Sequence, residues 1–329
     1  MRRWIVVVFC VMLAVLLTQP ETGFTADKVK LRWGSTSTRS GFYAYFVALS
    51  KTVMKAYPEL DITVVETGAG LDNLKRLRES TVHFGGLNSA VAYAQYAAVA
   101  EYKGKEKFSK LRALYGGFVL PINIFVRADS DVYKLEDLNK KPFAHFPGSS
   151  ADRLALFLFD ANNVKPKLLP IGPAASDAIK SRRAIGSQRL GIGEASIMAL
   201  QATVDLRFIP ITEEEIQKTQ EKYPGQVSTM MLPANSYPKQ DKPVPSLAYA
   251  VAEYTTTDVS ADVVYKVVRA IHEGRSRLAG LSKSLEKGLF ETAPWELKYQ
   301  DVPLHTGAIR YFKEIGVPIP KHLIPPEAQ

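Results

Sequence analysis

Residues Leu60–Ser80 read LDITVVETGAGLDNLKRLRES, and the reading of that stretch decides the fold. Ile62, Val64 and Val65 form a β-branched run that predicts a strand, and Leu71, Leu74 and Leu77 recur at helical spacing directly after it. Thr67-Gly68-Ala69-Gly70 joins the two. Glycines at such a junction permit positive φ and a close backbone approach by a ligand, and the first N–H groups of the new helix have no partner within it. The junction is therefore either a plain strand-to-helix turn or a seat for an anion. It carries neither GxGxxG nor a GK[ST] phosphate loop, so a nucleotide site is not indicated.

The same grammar recurs on either side. Upstream, Val29, Leu31 and Trp33 alternate as a strand, and Phe42, Phe46, Leu49 and Val53 give a helical face that ends near Tyr57-Pro58. Between them Ser35, Thr36, Ser37, Thr38 and Ser40 supply five hydroxyls, where capping a helix needs only one, so a polar site is favoured. Downstream, Val82–Ser89 predicts a short strand before the Ala-rich helix Ala90–Ala100, with Asn88 and Ser89 at a third junction and His83 read as a structural histidine. Phe143–Arg153 repeats the pattern in the second half: a strand ends, Pro147-Gly148-Ser149-Ser150 follows, and a helix runs through Leu154–Phe159. Ser149 and Ser150 can donate from that helix start, and Arg153 is the full charge nearest to it, as a ligand contact or an exposed helix arginine. Ligands in open α/β sheets collect outside the carboxyl ends of the strands, where all these loops are expected.

Leu111–Val126 predicts two strands broken by Gly116-Gly117 and Pro121, the first passage between halves of the chain. Ala174–Arg183 predicts a helix, Leu190–Glu194 a buried turn or short strand before a helix at Ala195–Ala202, and Val204–Ile211 a strand. Gln226–Ser246, with Pro233, Pro238, Pro243 and Pro245, reads as a loop-rich second passage. Ser246–Ala252 alternates as a strand, Val263, Val267, Ala270 and Ile271 mark a long amphipathic helix, and a last helix ends at Gly316.

The chain has 329 residues, 46% of them hydrophobic and 23% charged, enough for one large domain or two lobes with a sizeable core. Residues 1–26 are set apart: Arg2-Arg3, then the apolar run Trp4–Leu17, then polar residues to Ala26, the layout of a secretory signal peptide. The single cysteine, Cys10, lies in that run, so the mature chain has no disulfide, thiolate metal site or cysteine nucleophile, which suits a bacterial periplasm. The net charge of +9 is scattered and not gathered into a basic stripe. It gives a weak pull on acidic small molecules and no reason to expect nucleic acid.

Thr67-Gly68-Ala69-Gly70-Leu71-Asp72-Asn73-Leu74, Pro147-Gly148-Ser149-Ser150, Asp262-Val263-Val264-Tyr265 and Leu304-His305-Thr306-Gly307-Ala308-Ile309-Arg310-Tyr311 together resemble the TAXI family, the extracytoplasmic solute receptors of TRAP transporters. Those receptors carry a TGGSxxNL-like segment, a PGSG-like loop, a DVVY-like helix start and an LHPGAxRYY-like ending in the same order. The resemblance implies an α/β fold, a periplasmic binding protein of type II with two α/β lobes joined by a two-strand hinge and a ligand cleft between them. Residues 27–117 with 246–329 are expected to form lobe 1, and 118–245 lobe 2. It implies a small organic anion as ligand, a carboxylate or an amino acid such as glutamate, delivered to TRAP transporter membrane subunits. Carried over, the site comprises Ser35, Thr36, Tyr43, Gly68, Asn73, Asn88, Ser89, Pro147, Gly148, Ser149 and Ser150, to which the residue reading adds Arg153. The departures fall on the ligand loops: Gly34–Tyr43 keeps one glycine and one tyrosine of TGSxxGxYY, Ala69-Gly70 stands for Gly-Ser, His83 for an aspartate and Ser150 for a glycine.

A binding protein, monomeric, with neither cofactor nor metal, is thus expected. A ligand-sensing protein or an ABC-type receptor on the same scaffold is the alternative. An enzyme would need an acid-base pair such as His145 with Asp152, or Glu194 with a neighbour, and no nucleophile elbow or zinc motif accompanies either.

Overall fold

The computed structural model describes residues 28–223, 226–279 and 295–329. The expected leader, residues 1–26 with Cys10, lies outside the described residues.

Strand β1 (Val29–Gly34) turns Leu31 and Trp33 inward and leaves Val29, Lys30 and Arg32 exposed, the alternation of a half-buried strand. Helix α1 (Gly41–Ala56) begins at Ser40, whose hydroxyl accepts from the Phe42 N–H, and buries Phe46, Leu49 and Val53. Strand β2 (Leu60–Val65) pairs with β1 in parallel, Leu31 opposite Ile62, and leads into α2 (Gly70–Arg78). Strand β3 (Phe84–Asn88) lies parallel to β1 on its other side and feeds α3 (Ser89–Ala97).

The chain then crosses over through β4 (Leu111–Ala113) and β5 (Phe118–Arg127). The second half repeats the parallel arrangement: β6 (Pro142–His145), α4 (Ser150–Ala161), β7 (Lys167–Pro170), α5 (Ala175–Lys180), β8 (Gly186–Leu190) and α6 (Ala195–Gln201). Strand β9 (Leu206–Phe208) adds to β5, and α7 (Glu213–Lys222) packs beside α4. Strand β10 (Ser228–Leu232) and the long β11 (Val244–Thr256) return the chain, and α8 (Ala261–Glu273), α9 (Arg275–Ala279) and α10 (Thr306–Glu314) follow. The strand order is β2-β1-β3-β11-β5-β8-β6-β7, with β4 and β10 on β11 and β9 on β5.

Strands β5 and β11 are therefore shared by both halves. Residues 118–121 of β5 pair antiparallel with β11, and residues 122–126 pair antiparallel with β8. Pro121 sits at that change of partner, in register with Ala248, and its carbonyl accepts from the Gly191 N–H at 3.0 Å. It does not interrupt the strand as its residue type suggested, because a missing N–H is tolerated where the ladder is being handed over. Gln226–Ser246 likewise differs from the loop expected. Met230 and Met231 pair with Ser246 and Pro245 in an antiparallel ladder, and Pro233, Pro238 and Pro243 are confined to the connection.

Most of the core gathers around Trp33, Phe84, Tyr254 and Phe118, and a smaller cluster around Ile179, Ile197 and Leu200 fills the second half. Gly316, at φ +73°, ends α10 in the left-handed conformation a side chain resists. Among the described residues no helix is long and apolar enough to cross a membrane.

Candidate functional site

Six strand-to-helix junctions face one another: the ends of β1, β2 and β3 from one half and of β6, β7 and β8 from the other. Between them lies a cavity of about 660 Å³. Thr36, Phe46, Gly70 and Gly86 form one wall; Ser149, Ser150, Gln188 and Arg189 form the other. Parallel strands leave their carboxyl ends and the following helix N-termini on one edge, and this cleft is where both sets of edges meet.

The first wall is built by one buried side chain. Asn73, fully buried on α2, donates Nδ2 to the carbonyls of Ser35 (2.9 Å) and Gly86 (3.1 Å) and accepts from the Thr67 hydroxyl at 2.8 Å. It thereby ties the ends of β1, β2 and β3 together. The close fit excludes side chains at Gly34 and Gly85, where an added Cβ would stand 2.5 Å from Asn73 Oδ1 and 3.1 Å from Asn73 Cβ. Ala69, the residue before α2, has φ 72° and ψ −155°, a region essentially reserved for glycine.

The hydroxyl loop is largely engaged in its own structure. Ser35 Oγ donates to the Val65 carbonyl at 2.7 Å, Thr38 binds Glu66 through both N–H and hydroxyl, Ser37 accepts from the Arg39 N–H, and Ser40 caps α1. Thr36, Ser37 and Ser40 still line the cavity. Ser35 and Asn73 lie behind the wall, and Tyr43, Gly68, Ser89 and Pro147 line neither this cavity nor the one beyond it. The Gly68 N–H is taken by Asp72 at 2.9 Å, and Ser89 is buried at the start of α3.

The second wall carries the charge. Arg189, at the end of β8, donates to Ser187 Oγ and to the Gln188 carbonyl, and burial lowers its pKa against the opposing pull of Glu194. Glu194 caps α6 by accepting from the Ile197 N–H at 3.0 Å. Gln188 donates Nε2 to Asp152, while its Oε1 is buried with no partner. Arg39 and Lys180, both exposed, stand at the rim with Asp177. The sequence pattern points to Glu194 only as one member of an acid-base pair and does not single out Arg189 or Gln188. The signal for them is that Leu190-Gly191-Ile192-Gly193-Glu194 is one more strand-to-helix junction of the same kind, with an arginine at the strand end.

His145 and Asp152, too far apart in sequence pattern to be paired with assurance, do meet: Nδ1 and Oδ1 are 2.7 Å apart. Burial raises the Asp152 pKa while the His145 hydrogen bond opposes the rise, and the pair fastens the end of β6 to the first turn of α4. His83 accepts the Arg32 N–H on Nδ1, a structural use. Among the described residues no group of three or more His, Cys, Asp or Glu side chains could hold a metal ion.

A second cavity of about 970 Å³ opens on the far side of Gly70, Leu87, Ser149 and Ser150, which line both. Asn88, Gly148 and Arg153 belong to this one. Arg153 is held by Glu101 at 2.7 Å and Gln226 at 2.9 Å and lies over the Phe157 ring at 4.7 Å.

The NMT1-like family matches residues 34–316. Among solved structures, a putative L-cystine ABC transporter protein from Listeria monocytogenes superposes with a TM-score of 0.50 at 12% identity, over 80% of this chain and 96% of that one. The alkanesulfonate-binding protein SsuA from Xanthomonas axonopodis pv. citri, bound to MOPS, gives a TM-score of 0.49 at 18% identity, over 92% of this chain and 99% of that one. The fold is that of the type II periplasmic binding proteins, two α/β lobes with a cleft between them.

Proposed function

The chain belongs to the NMT1-like family, and from that premise we propose that it is a periplasmic solute-binding protein that captures a small organic anion, a carboxylate or an amino acid such as glutamate, and passes it to a TRAP transporter membrane component. The observation that carries this reading is Arg189, a half-buried cation on the cleft wall across from the helix starts of the opposite half. Aligned N–H dipoles and one guanidinium hold a carboxylate more strongly in a cleft that excludes water than either does at a surface. Gln188, on the same wall, has a buried Oε1 with no partner, an acceptor that the protein itself does not satisfy.

The apolar leader at residues 1–26 and the TAXI-like segments, now found at the β2–α2 junction, the β6–α4 loop, the start of α8 and the start of α10, support export and a TRAP partner. Residues 27–117 with 246–329 would move as one lobe and 118–245 as the other, the ligand favouring the state in which both touch it.

Isothermal titration with glutamate, succinate and butanoate tests the reading. At least one binds the wild-type chain, and Arg189→Met weakens that binding by about tenfold or more, the loss expected for a charged hydrogen bond. Absence of binding by all three, or equal binding by the variant, refutes it.

A further inference from the structure

The exposed apolar side chains of this protein are not scattered. Of the eight large hydrophobic residues that stand exposed among the described residues, Leu71, Tyr93, Val99 and Leu156 all line the second cavity. They come from α2, α3, the segment after it and α4, so the patch spans both walls of the cleft. Surface apolar residues are ordinarily dispersed, and their collection in one concave place marks a binding site.

Two further observations say what kind of group fits there. The Arg153 guanidinium is already matched by Glu101 and Gln226, so the cavity offers no uncompensated charge from it. Asn88, a residue of the cavity lining, is 2% exposed; its Oδ1 accepts from the Val91 N–H, which fixes the amide orientation, and its Nδ2 is buried with no partner. A buried N–H without an acceptor is uncommon in native proteins. Because Gly70, Leu87, Ser149 and Ser150 line both cavities, the second adjoins the first. At the boundary the two halves approach closely: a Cβ on Gly70 would lie 3.4 Å from Ser150 Oγ.

We propose that the second cavity is a subsite for the uncharged, apolar tail of the solute, an aryl or alkyl group bearing one hydrogen-bond acceptor for Asn88, whose anionic head lies in the first. The inference rests on the anion reading above. It narrows the ligand class from any small organic anion to one whose acidic head carries an elongated uncharged tail, because a short ligand fills only the charged chamber.

Isothermal titration of the full chain with butanoate and 4-phenylbutanoate tests it. The phenyl compound binds about tenfold or more tightly, as expected for burying an aromatic ring, and Tyr93→Ser and Leu156→Ser, both at exposed positions, bring the ratio of the two affinities toward one. An acetyl group on the phenyl ring adds further affinity in the wild type and none in Asn88→Asp, which keeps the helix cap and removes the N–H. Equal binding of butanoate and 4-phenylbutanoate, or a ratio untouched by both serine variants, overturns the subsite and leaves the anion reading standing. An acetyl gain that survives in Asn88→Asp removes Asn88 from it. Failure of both acids to bind a chain that binds glutamate or succinate overturns the subsite alone, and failure of all of these acids overturns the anion reading with it.

Discussion

Glu253 is the group whose removal should change the behaviour of this fold most legibly. It lies on β11 opposite Gly86, fully buried; Oε2 accepts from Trp33 Nε1 at 3.0 Å, and Oε1 has no partner. Burial pushes the carboxyl up from 4.5 to about 8 against the opposing Trp33 hydrogen bond. The folded chain thus keeps this proton to about pH 8, whereas the unfolded chain releases it near 4.5. Between those values the folded state binds one proton more, so stability falls as pH rises. At about 1.4 kcal/mol for each pH step, the whole interval amounts to about 5 kcal/mol, with the full stability present below the lower value and lost above the upper one. Glu253→Gln retains an acceptor for Trp33 and stays neutral throughout. Urea unfolding followed by tryptophan fluorescence at intervals from pH 5 to pH 9 should show the two proteins close together at the acid end. The variant should become the more stable by several kcal/mol at the alkaline end. Stability curves that run parallel across that range would refute the assignment of a neutral acid at this position.

Three further outcomes follow from the geometry. Ala69→Gly relieves a backbone conformation that side chains resist and should raise stability by about 1 kcal/mol in the same unfolding assay; a loss would show that the turn is not strained. Asn73→Ala removes the buried donor that joins the Ser35 and Gly86 carbonyls, Ser35 keeping only the Thr67 hydroxyl at 2.7 Å, and should lower stability by about 3 kcal/mol. It should also weaken whatever ligand the cleft holds, and an unchanged unfolding midpoint would rule out its role as a tie. Gly86→Ala places a Cβ 2.7 Å from Phe46 Cζ and 3.0 Å from Glu253 Oε1; repacking at the cavity floor should destabilise by about 1–3 kcal/mol, and thermal unfolding at the wild-type temperature would contradict that.

The fold was legible because its signals are local. Strand β2 and helix α2 could be read from Ile62–Val65 and from Leu71, Leu74 and Leu77, and the junction between them from Gly68 and Gly70. Pro121 and β10 were harder, since whether a proline interrupts a strand depends on which neighbour the strand is pairing with, and that neighbour lies far away in sequence. The candidate site was legible by loop and less so by residue. The hydroxyls of Ser35–Ser40 and the amide of Asn73 look like ligand contacts in sequence, yet folding engages most of them with backbone groups of adjoining loops. Arg189 gave the opposite impression: one arginine among many becomes distinctive only once β8 delivers it into the cleft.

The bridge from Arg153 on α4 to Glu101 beyond α3 links the two halves beside the second cavity, with Arg153 mostly covered and Glu101 nearly half exposed. A clasp of that kind is sensitive to dissolved ions, which screen an open pair more than a covered one. If the halves part to release a solute, as proposed above, the rate at which they do so, and so how long cargo stays aboard, becomes a property of the medium as much as of the cargo. A fresh-water and a brackish surrounding would set different dwell times on the same protein.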